Sequence, residues 1–277
     1  MPDLSYSAQQ VRQSDKDRFL CALFAPPEKR EALFALYALD LELTQIPERV
    51  TEPLLGQMRY QWWEDTIRDI YADREPLGHQ VVTPVAEAIR AHDLPHEPFK
   101  RLVNARARDM EDRPVGDPEQ LEGYIDGTAG SLAELALGAL GVTDPATRTT
   151  GRNAARAWGL LRIIRTIPFH AARSRIFLPP SEIGGEAEDL LAGRATPGIR
   201  AAVKATAERA AAHLDSVPRN GGPQARAALP VLLLAVIARR ELKRLERGGY
   251  DPFDPKLDAP LPGQPIRLWF HARRGRF

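Results

Sequence analysis

The spacing of apolar residues constrains this chain most, because it follows the period of an α-helix along almost the whole length. Ala, Leu, Arg and Glu dominate while β-branched residues are sparse, which favours helix over strand. Pro47 and Pro168 are expected to end helices, since proline removes a backbone donor. The pattern predicts an all-α fold with helices at 5–24, 28–46, 51–72, 83–92, 96–110, 118–140, 145–167, 197–216 and 223–247.

One stretch of this pattern, EALFALYALDLEL (31–43), is apolar on nearly every face, so its helix should be central. No linker separates two folding units, which predicts a single domain over 1–277. The Pro-rich tail (248–277) packs on that domain or extends from it. Within the tail, Trp269 and Phe270 are expected to face the domain. The alternative is contact with an anionic membrane, because arginines accompany both aromatic residues.

The charge balance and the single cysteine exclude several classes of protein. The 277 residues include 38 basic and 37 acidic side chains, a formal net charge of +1, which argues against a nucleic-acid binder. Cys21 alone permits neither an internal disulfide nor a cysteine-based zinc site. No run of about 20 apolar residues is present to span a bilayer, and the first residues lack the apolar core of a signal peptide. We expect a cytoplasmic protein, with peripheral contact to the inner face of a membrane as the alternative.

Acidic residues give two weak candidates for a metal site. Asp65 and Asp69 are four residues apart on one helical face, where they could share Mg²⁺ with a diphosphate. Because Arg68 is adjacent, local ion pairs on a solvated face are the favoured interpretation. A second group straddles a predicted helix end and is expected to cap it or to be surface charge: Asp109, Glu111 and Asp112.

Arginines are concentrated around the end of the predicted helix 145–167. Arg162, Arg165, Arg173 and Arg175 flank this end and the loop after it. Guanidinium groups bind diphosphates and carboxylates, and they also pair with neighbouring acids. The residues alone therefore leave an anion site and ordinary ion pairing equally open.

Four segments, in this order along the chain, resemble the squalene/phytoene synthase family of head-to-head prenyl transferases. They are DRFLCALFAPPEKREALFALYALDLEL (17–43), MRYQWWEDTIRDIY (58–71), YIDGTAGSLAELAL (124–137) and LRIIRTIPFHAARSRIFLP (161–179). The last segment is the most specific, because it keeps the family's exit of arginine, aromatic, leucine and proline as Arg175, Phe177, Leu178 and Pro179. The resemblance implies a single-domain, isoprenoid-synthase-like helical bundle around a central cavity.

The resemblance also implies where catalysis would occur, since active members hold Mg²⁺ and substrate diphosphates between two aspartate-rich motifs on facing helices. The first motif would fall at LTQIP (43–47), which has no aspartate, and Thr166 and His170 replace the aspartates of the second. A hydroxyl and an imidazole are poor Mg²⁺ ligands, and Pro168 is expected to interrupt their helix. We therefore expect no catalytic residue, metal or cofactor, and a degenerate pocket. Its candidate residues are Arg162, Arg165, Thr166, His170, Arg173, Arg175, Tyr124 and Gly127.

Three places resemble one branch of this family, the assembly factor of mitochondrial respiratory complex I. They are IRTIPFHAARSRIFLP (164–179), RYQWWEDTIRDIY (59–71) and the tail pattern YDPFDPKL…PIRLWF (250–270). The likeness implies a non-catalytic protein with a partner in respiratory complex assembly and a cavity for an isoprenoid or lipid-like chain.

Two other functions stay open beside this one. The first is a divergent prenyl transferase that uses Mg²⁺ at Asp65 with Asp69, or at Asp109 with Asp112. The second is a peripheral membrane scaffold. The Ala/Arg-rich composition and the lack of a transit peptide lead us to expect a bacterial relative rather than a mitochondrial protein.

Overall fold

The computed structural model describes residues 4–50, 52–75, 78–111, 115–220, 223–259 and 261–277. Within these ranges the chain is helical and forms no strand, which confirms the predicted all-α fold. The α-helices are α1 (Tyr6–Ser14), α2 (Lys16–Ala22), α3 (Pro27–Arg49), α4 (Pro53–Tyr71), α5 (Val82–His92), α6 (His96–Ala107), α7 (Pro118–Ile125), α8 (Ser131–Ala139), α9 (Pro145–Ala171), α10 (Pro180–Ile183), α11 (Ala187–Leu191), α12 (Pro197–Asp215), α13 (Leu229–Arg247), α14 (Pro255–Asp258) and α15 (Gln264–Arg274). Shorter 3₁₀ turns lie at Arg108–Met110 and Pro223–Arg226, and a π-helical turn lies at Asp126–Gly130.

The hydrophobic core is built around α3 and α9. As predicted, α3 is buried on nearly every face, including Leu33, Leu36 and Leu39. α3 packs against α1, α5 and α8, while α9 packs against α12 and α13. Burial of these apolar faces is the main force that holds the helices together. α8 lies between the two central helices and contacts both α3 and α9.

The first predicted helix, 5–24, is divided at Asp15. The backbone of Asp15 is extended, and its Oδ1 accepts a hydrogen bond from the Arg18 amide at 3.0 Å, which caps α2. The division turns the Asp15 carboxylate inward, where its side chain is 1% exposed. Asp15 is thus a buried acid at the junction between α1 and α2.

Pro47 and Pro168 lie inside helices, so the expectation that they end them is wrong. α3 continues to Arg49 and α9 continues to Ala171. Each proline removes only one backbone hydrogen bond near a helix end, and buried neighbours such as Ile46 and Ile167 keep the last turn packed. The helical spacing of positions 166 and 170 is therefore preserved.

Glycines permit the close approach of helices around the π-helical turn. A Cβ added to Gly127 would lie 2.7 Å from the Ala105 Cβ, and one added to Gly159 would lie 2.9 Å from the Ala129 Cβ. Both distances are shorter than carbon atoms tolerate. Gly127 and Gly159 thus allow close contact between helices.

The tail packs on the domain through other residues than predicted. Leu268 of α15 is buried, and the Phe277 amide donates to the Arg219 carbonyl at 3.1 Å. Trp269 and Phe270 are 48% and 47% exposed, so the expectation that they face the domain is wrong. Because Leu268 occupies the inward face of the helix, its two neighbours turn outward.

No helix in the described ranges combines the length and the apolarity needed to cross a bilayer.

Candidate functional site

A cavity of about 250 Å³ opens beside α3, α7 and α9. Aromatic and apolar side chains form part of its wall, including Trp158, Phe169 and Phe177. Its polar lining is Arg18, Thr44, Glu48, Arg106, Asp109, Tyr124, Thr128, Arg162, Thr166, His170 and Arg175. Arginine is thus the predominant charged residue of the lining.

The two helical segments at which the resemblance implies metal ligands both face this cavity. Thr44 lines it from α3, while Thr166 and His170 line it from α9. The Thr44 hydroxyl donates to the Asp40 carbonyl at 2.7 Å, and the Thr166 hydroxyl donates to the Arg162 carbonyl at 3.0 Å. Both hydroxyl protons are therefore committed to the threonines' own helices.

Asp40 is a buried carboxylate held between two arginines. Arg18 Nη1 donates to one carboxylate oxygen at 2.7 Å, and Arg106 Nε and Nη2 approach the other at 2.9 and 2.8 Å. Burial alone would raise the pKa of Asp40, but the charges of Arg106 and Arg18 outweigh it and hold that pKa well below the usual range. Asp40 therefore remains ionised, with both oxygens occupied by guanidinium groups.

Arg106 also connects Asp40 to a second buried acid. Its Nη1 donates to the Tyr124 hydroxyl at 2.9 Å and lies 3.5 Å from Asp109 Oδ2. The Tyr124 hydroxyl donates in turn to Asp109 Oδ1 at 2.7 Å. Burial, only partly offset by Arg106, raises the pKa of Asp109 to about 6. Arg106 thus contacts both acids, but only Asp40, which also accepts from Arg18, has a pKa below its usual range.

Arg162 is fixed at the cavity wall by an acid and an aromatic ring. Its Nη1 donates to Asp15 Oδ2 at 2.7 Å, and its guanidinium lies 5.2 Å from the Trp158 ring centroid. A cation over an indole face is attracted by the ring quadrupole. The division of the first helix at Asp15 thus positions a cavity arginine.

His170 lies in the aromatic part of the cavity. Its ring centroid is 4.5 Å from that of Phe177, and within the described residues its buried Nδ1 has no hydrogen-bond partner. Burial first, and then the charges of nearby arginines led by Arg175, lower the pKa of His170 to about 4. Arg175 is itself anchored by donation to the Pro47 carbonyl at 3.1 Å. The imidazole is therefore neutral near pH 7.

Three of the pocket residues predicted from sequence lie away from the cavity lining. Arg165 points to Asp17 and Glu241, at 3.4 Å from each. The Arg173 guanidinium lies 3.7 Å from the ring centroid of Phe169. Gly127 packs against α6. The other five predicted residues, Tyr124, Arg162, Thr166, His170 and Arg175, line the cavity together.

The alternative metal ligands on α4 form surface ion pairs. Arg68 Nη2 lies 2.7 Å from Asp65 Oδ1, and Arg74 Nη1 lies 2.8 Å from Asp69 Oδ1. All four side chains are more than 40% exposed. The interpretation of this face as solvated and locally paired agrees with the structure, and neither aspartate lines the cavity.

Sequence reasoning missed several of the charges that build the site. Asp109 was expected to cap a helix or lie on the surface, yet it is 5% exposed; its proposed partner Asp112 lies outside the described residues. The pairing of Asp40 could have been expected from the sequence, because an acid within an apolar helix needs a charged partner when it is buried. Its partners Arg18 and Arg106 follow only from the tertiary arrangement.

The donor set of the cavity does not fit a Mg²⁺–diphosphate site. Mg²⁺ prefers carboxylate oxygens and water, whereas Thr44, Thr166 and His170 present two hydroxyls and an imidazole at the facing positions. The two lining carboxylates are Glu48, which α3 adds to the lining, and Asp109. Asp109 is held by Tyr124 and Arg106. Within the described residues, no three His, Cys, Asp or Glu side chains are close enough together to hold a metal ion.

The family model described as squalene/phytoene synthase matches residues 11–264. Among curated proteins, the "NADH dehydrogenase (ubiquinone) complex I, assembly factor 6" of Bos taurus is 30% identical over 276 residues, covering 98% of this chain and 82% of that protein. This relative is an animal protein, so it gives no support to the expected bacterial source.

Two solved structures share the fold. A dehydrosqualene synthase in complex with ligand has a TM-score of 0.80 at 18% identity, covering 97% of this chain and 94% of that one. The squalene synthase HpnC from Alicyclobacillus acidocaldarius has a TM-score of 0.74 at 22% identity, covering 89% and 94%. The predicted isoprenoid-synthase-like bundle is thereby confirmed.

Proposed function

Because this chain belongs to the squalene/phytoene synthase family, we propose that it is a non-catalytic member with an accessory role in the assembly of respiratory complex I. The name of the bovine relative, an assembly factor of that complex, supports the role. The relative matches this chain over nearly its whole length, so the likeness is not confined to one motif.

The observation that supports the proposal is the pairing of a buried acid with two arginines that line the cavity. Asp40, a buried acid on α3 four residues before Thr44, is bound on both oxygens by Arg18 and Arg106. Ionising an allylic diphosphate without metal ions would forgo the main stabilisation of its leaving group. A cavity of this kind favours a structural or binding role over synthesis.

The assembly role is tested by deleting the gene in the source cells and measuring assembled complex I on a native gel. We expect the assembled complex and its NADH:quinone activity to fall, while a second respiratory complex, measured as control, keeps its level. Restoration by the wild-type gene completes the test. An unchanged amount of complex I in the deletion strain would refute the assembly role.

The cavity also bears on the proposed isoprenoid or lipid-like ligand. At about 250 Å³ it is smaller than the roughly 300–1,000 Å³ of typical ligand pockets. We infer that it holds a head group or a short chain, and that a long prenyl chain would require α3 and α9 to separate. Binding of farnesol against that of isopentenol, measured by calorimetry, tests this; tighter binding of farnesol would contradict the inference.

The second candidate function is a divergent prenyl transferase, favoured only by the shared fold and by Asp109 in the cavity wall. It would need Mg²⁺ between Asp109 and other oxygen donors. Asp109→Asn retains an acceptor for the Tyr124 hydroxyl and removes the charge. If the wild-type protein coupled prenyl diphosphates and Asp109→Asn did not, this second function would replace the first.

Peripheral contact with the inner face of a membrane is the remaining proposal on location. The exposed aromatic residues of α15, Trp269 and Phe270, support it. Aromatic and basic side chains on one helix favour the interface between water and lipid.

A further inference from the structure

A groove of about 520 Å³ lies where α15 crosses α13 and the segment 219–220, away from the central cavity. The charged side chains of its lining are Arg219, Arg239, Arg240, Lys243, Arg267 and Arg276. None of the lining residues in the described part of the chain is acidic. Since the whole chain has a formal net charge of only +1, this groove is a local concentration of positive charge.

Two of these arginines are held in place by neutral acceptors. Arg239 Nη2 donates to the carbonyls of Leu214 and Val217 at 3.0 and 2.9 Å. Arg240 Nη2 donates to the Pro262 carbonyl at 3.0 Å. Within the described residues, the buried Nη1 of each guanidinium has no hydrogen-bond partner. A buried donor without a partner is costly, so both guanidinium groups keep unsatisfied hydrogen-bonding capacity beside the groove.

The electrostatic environment of the groove agrees with this geometry. Burial lowers the pKa of the Arg239 guanidinium and Arg219 lowers it further, while burial and then Arg267 do the same for the Arg240 guanidinium. The acids that act in the opposite direction, Asp215 and Glu241 respectively, do not cancel these shifts. Clustered cations of this kind bind phosphate strongly, because guanidinium offers paired donors to its oxygens.

The outer face of α15, beside the groove, is apolar. Ile266, Trp269 and Phe270 lie at positions i, i+3 and i+4 of one helical face and are 65%, 48% and 47% exposed. The Arg273 guanidinium lies 5.5 Å from the Trp269 ring centroid and extends the basic character to this face. An apolar face next to clustered arginines is typical of a helix that lies in a lipid interface.

We propose that this groove binds the phosphate groups of anionic phospholipids while the outer face of α15 enters the membrane interface. This proposal extends the proposed membrane contact, because it names the residues that make the contact and the class of lipid that they bind. It is independent of the assembly role, which can fail without it. The apolar face favours a phospholipid over a soluble phosphate, because a free anion would use the arginines and leave Trp269 and Phe270 in water.

The test is flotation of the full chain with vesicles made of equal parts phosphatidylglycerol and phosphatidylcholine, or of phosphatidylcholine alone. The groove variant is Lys243→Gln with Arg267→Gln, and both residues are exposed in the groove lining. These substitutions keep the hydrogen bonds of Arg239 and Arg240 to backbone carbonyls. The matched control is Lys204→Gln with Arg68→Gln, which removes the same charges from exposed sites outside the groove. Circular dichroism establishes that both variants are folded.

We expect flotation with the anionic vesicles only, weakened about 30-fold in the groove variant and nearly unchanged in the control. The factor follows from about 1 kcal/mol per basic residue at an anionic surface. Equal flotation of the two variants, or equal flotation with phosphatidylcholine alone, would overturn the proposal. Inorganic pyrophosphate serves as the soluble probe, and its binding in calorimetry without any flotation would likewise overturn the assignment to lipid.

Discussion

At the scale of single residues, the centre of this molecule is governed by arginines that share acids. Asp40 accepts from Arg18 and Arg106, and Arg106 continues to the Tyr124 hydroxyl and Asp109. Removing one partner of a buried pair leaves an uncompensated charge, which is more costly than never forming the pair. The stability of the protein should therefore depend strongly on single members of this network.

Arg106→Met tests this dependence. The change keeps most of the side-chain volume but leaves Asp40 with one guanidinium partner and Asp109 with none, so we expect a loss of about 3–5 kcal/mol in the free energy of unfolding. The control is Arg74→Met, because the ion pair of Arg74 with Asp69 is largely exposed and should contribute less than about 1 kcal/mol. Similar losses in urea unfolding for both variants would contradict a central role of Arg106.

His170 provides a test of the positive field in the cavity. Its pKa of about 4 means that the folded protein keeps the imidazole neutral, while the unfolded chain takes up a proton below about pH 6.5. The free energy of unfolding is therefore unaffected by His170 above pH 6.5, and it falls as the pH decreases from 6.5 towards 4.

We expect one histidine in an NMR titration to have a pKa near 4. Arg175→Gln should raise that value, since Arg175 is the neighbouring charge that lowers it most, and Arg68→Gln should leave it unchanged. A titration in which every histidine has a pKa near 6.5 would contradict the burial of His170 beside these arginines.

At the scale of elements, the cavity depends on helices that approach closely at small residues. Gly159 of α9 faces Ala129 of the π-helical turn, and its missing side chain lets the turn reach the cavity wall. π-helical turns inside helices occur often at functional sites. Here the turn follows Tyr124, whose hydroxyl belongs to the network of buried charges.

Gly159→Ala should destabilise the protein by about 1–3 kcal/mol, because the new Cβ would lie 2.9 Å from the Ala129 Cβ and force the helices apart. Gly123→Ala is the matched control. It lies in α7 with nothing within 4 Å of the added Cβ, so alanine should stabilise the helix by roughly 0.5–1 kcal/mol. Thermal unfolding distinguishes the two, and equal shifts would refute the close packing.

Much of the element pattern could be predicted from sequence, since helical periodicity is local. The expected ends at Pro47 and Pro168 were wrong because buried neighbours hold the last turn in place. The exposure of Trp269 and Phe270 was also mispredicted. Composition marks them as apolar, but only the packing of Leu268 decides which face of α15 turns inward.

At the scale of the whole molecule, the chain has the family's helical bundle around a cavity lined by four arginines. Motif order along the chain was enough to predict the fold, and five of the eight candidate pocket residues line the cavity. The network of Arg18, Asp40, Arg106 and Asp109 was not predictable, because Arg18, Asp40 and Arg106 are far apart in sequence. Charge pairing between distant segments depends on the tertiary fold.

We propose that this cavity keeps the family's shape without its metal-dependent chemistry. The most direct measurement is product analysis after incubating the purified protein with Mg²⁺ and farnesyl or geranylgeranyl diphosphate, beside an active squalene synthase as control. We predict that the control yields coupled hydrocarbon and that this protein returns its substrates unchanged. A coupled product that requires Mg²⁺ and this protein would contradict the claim.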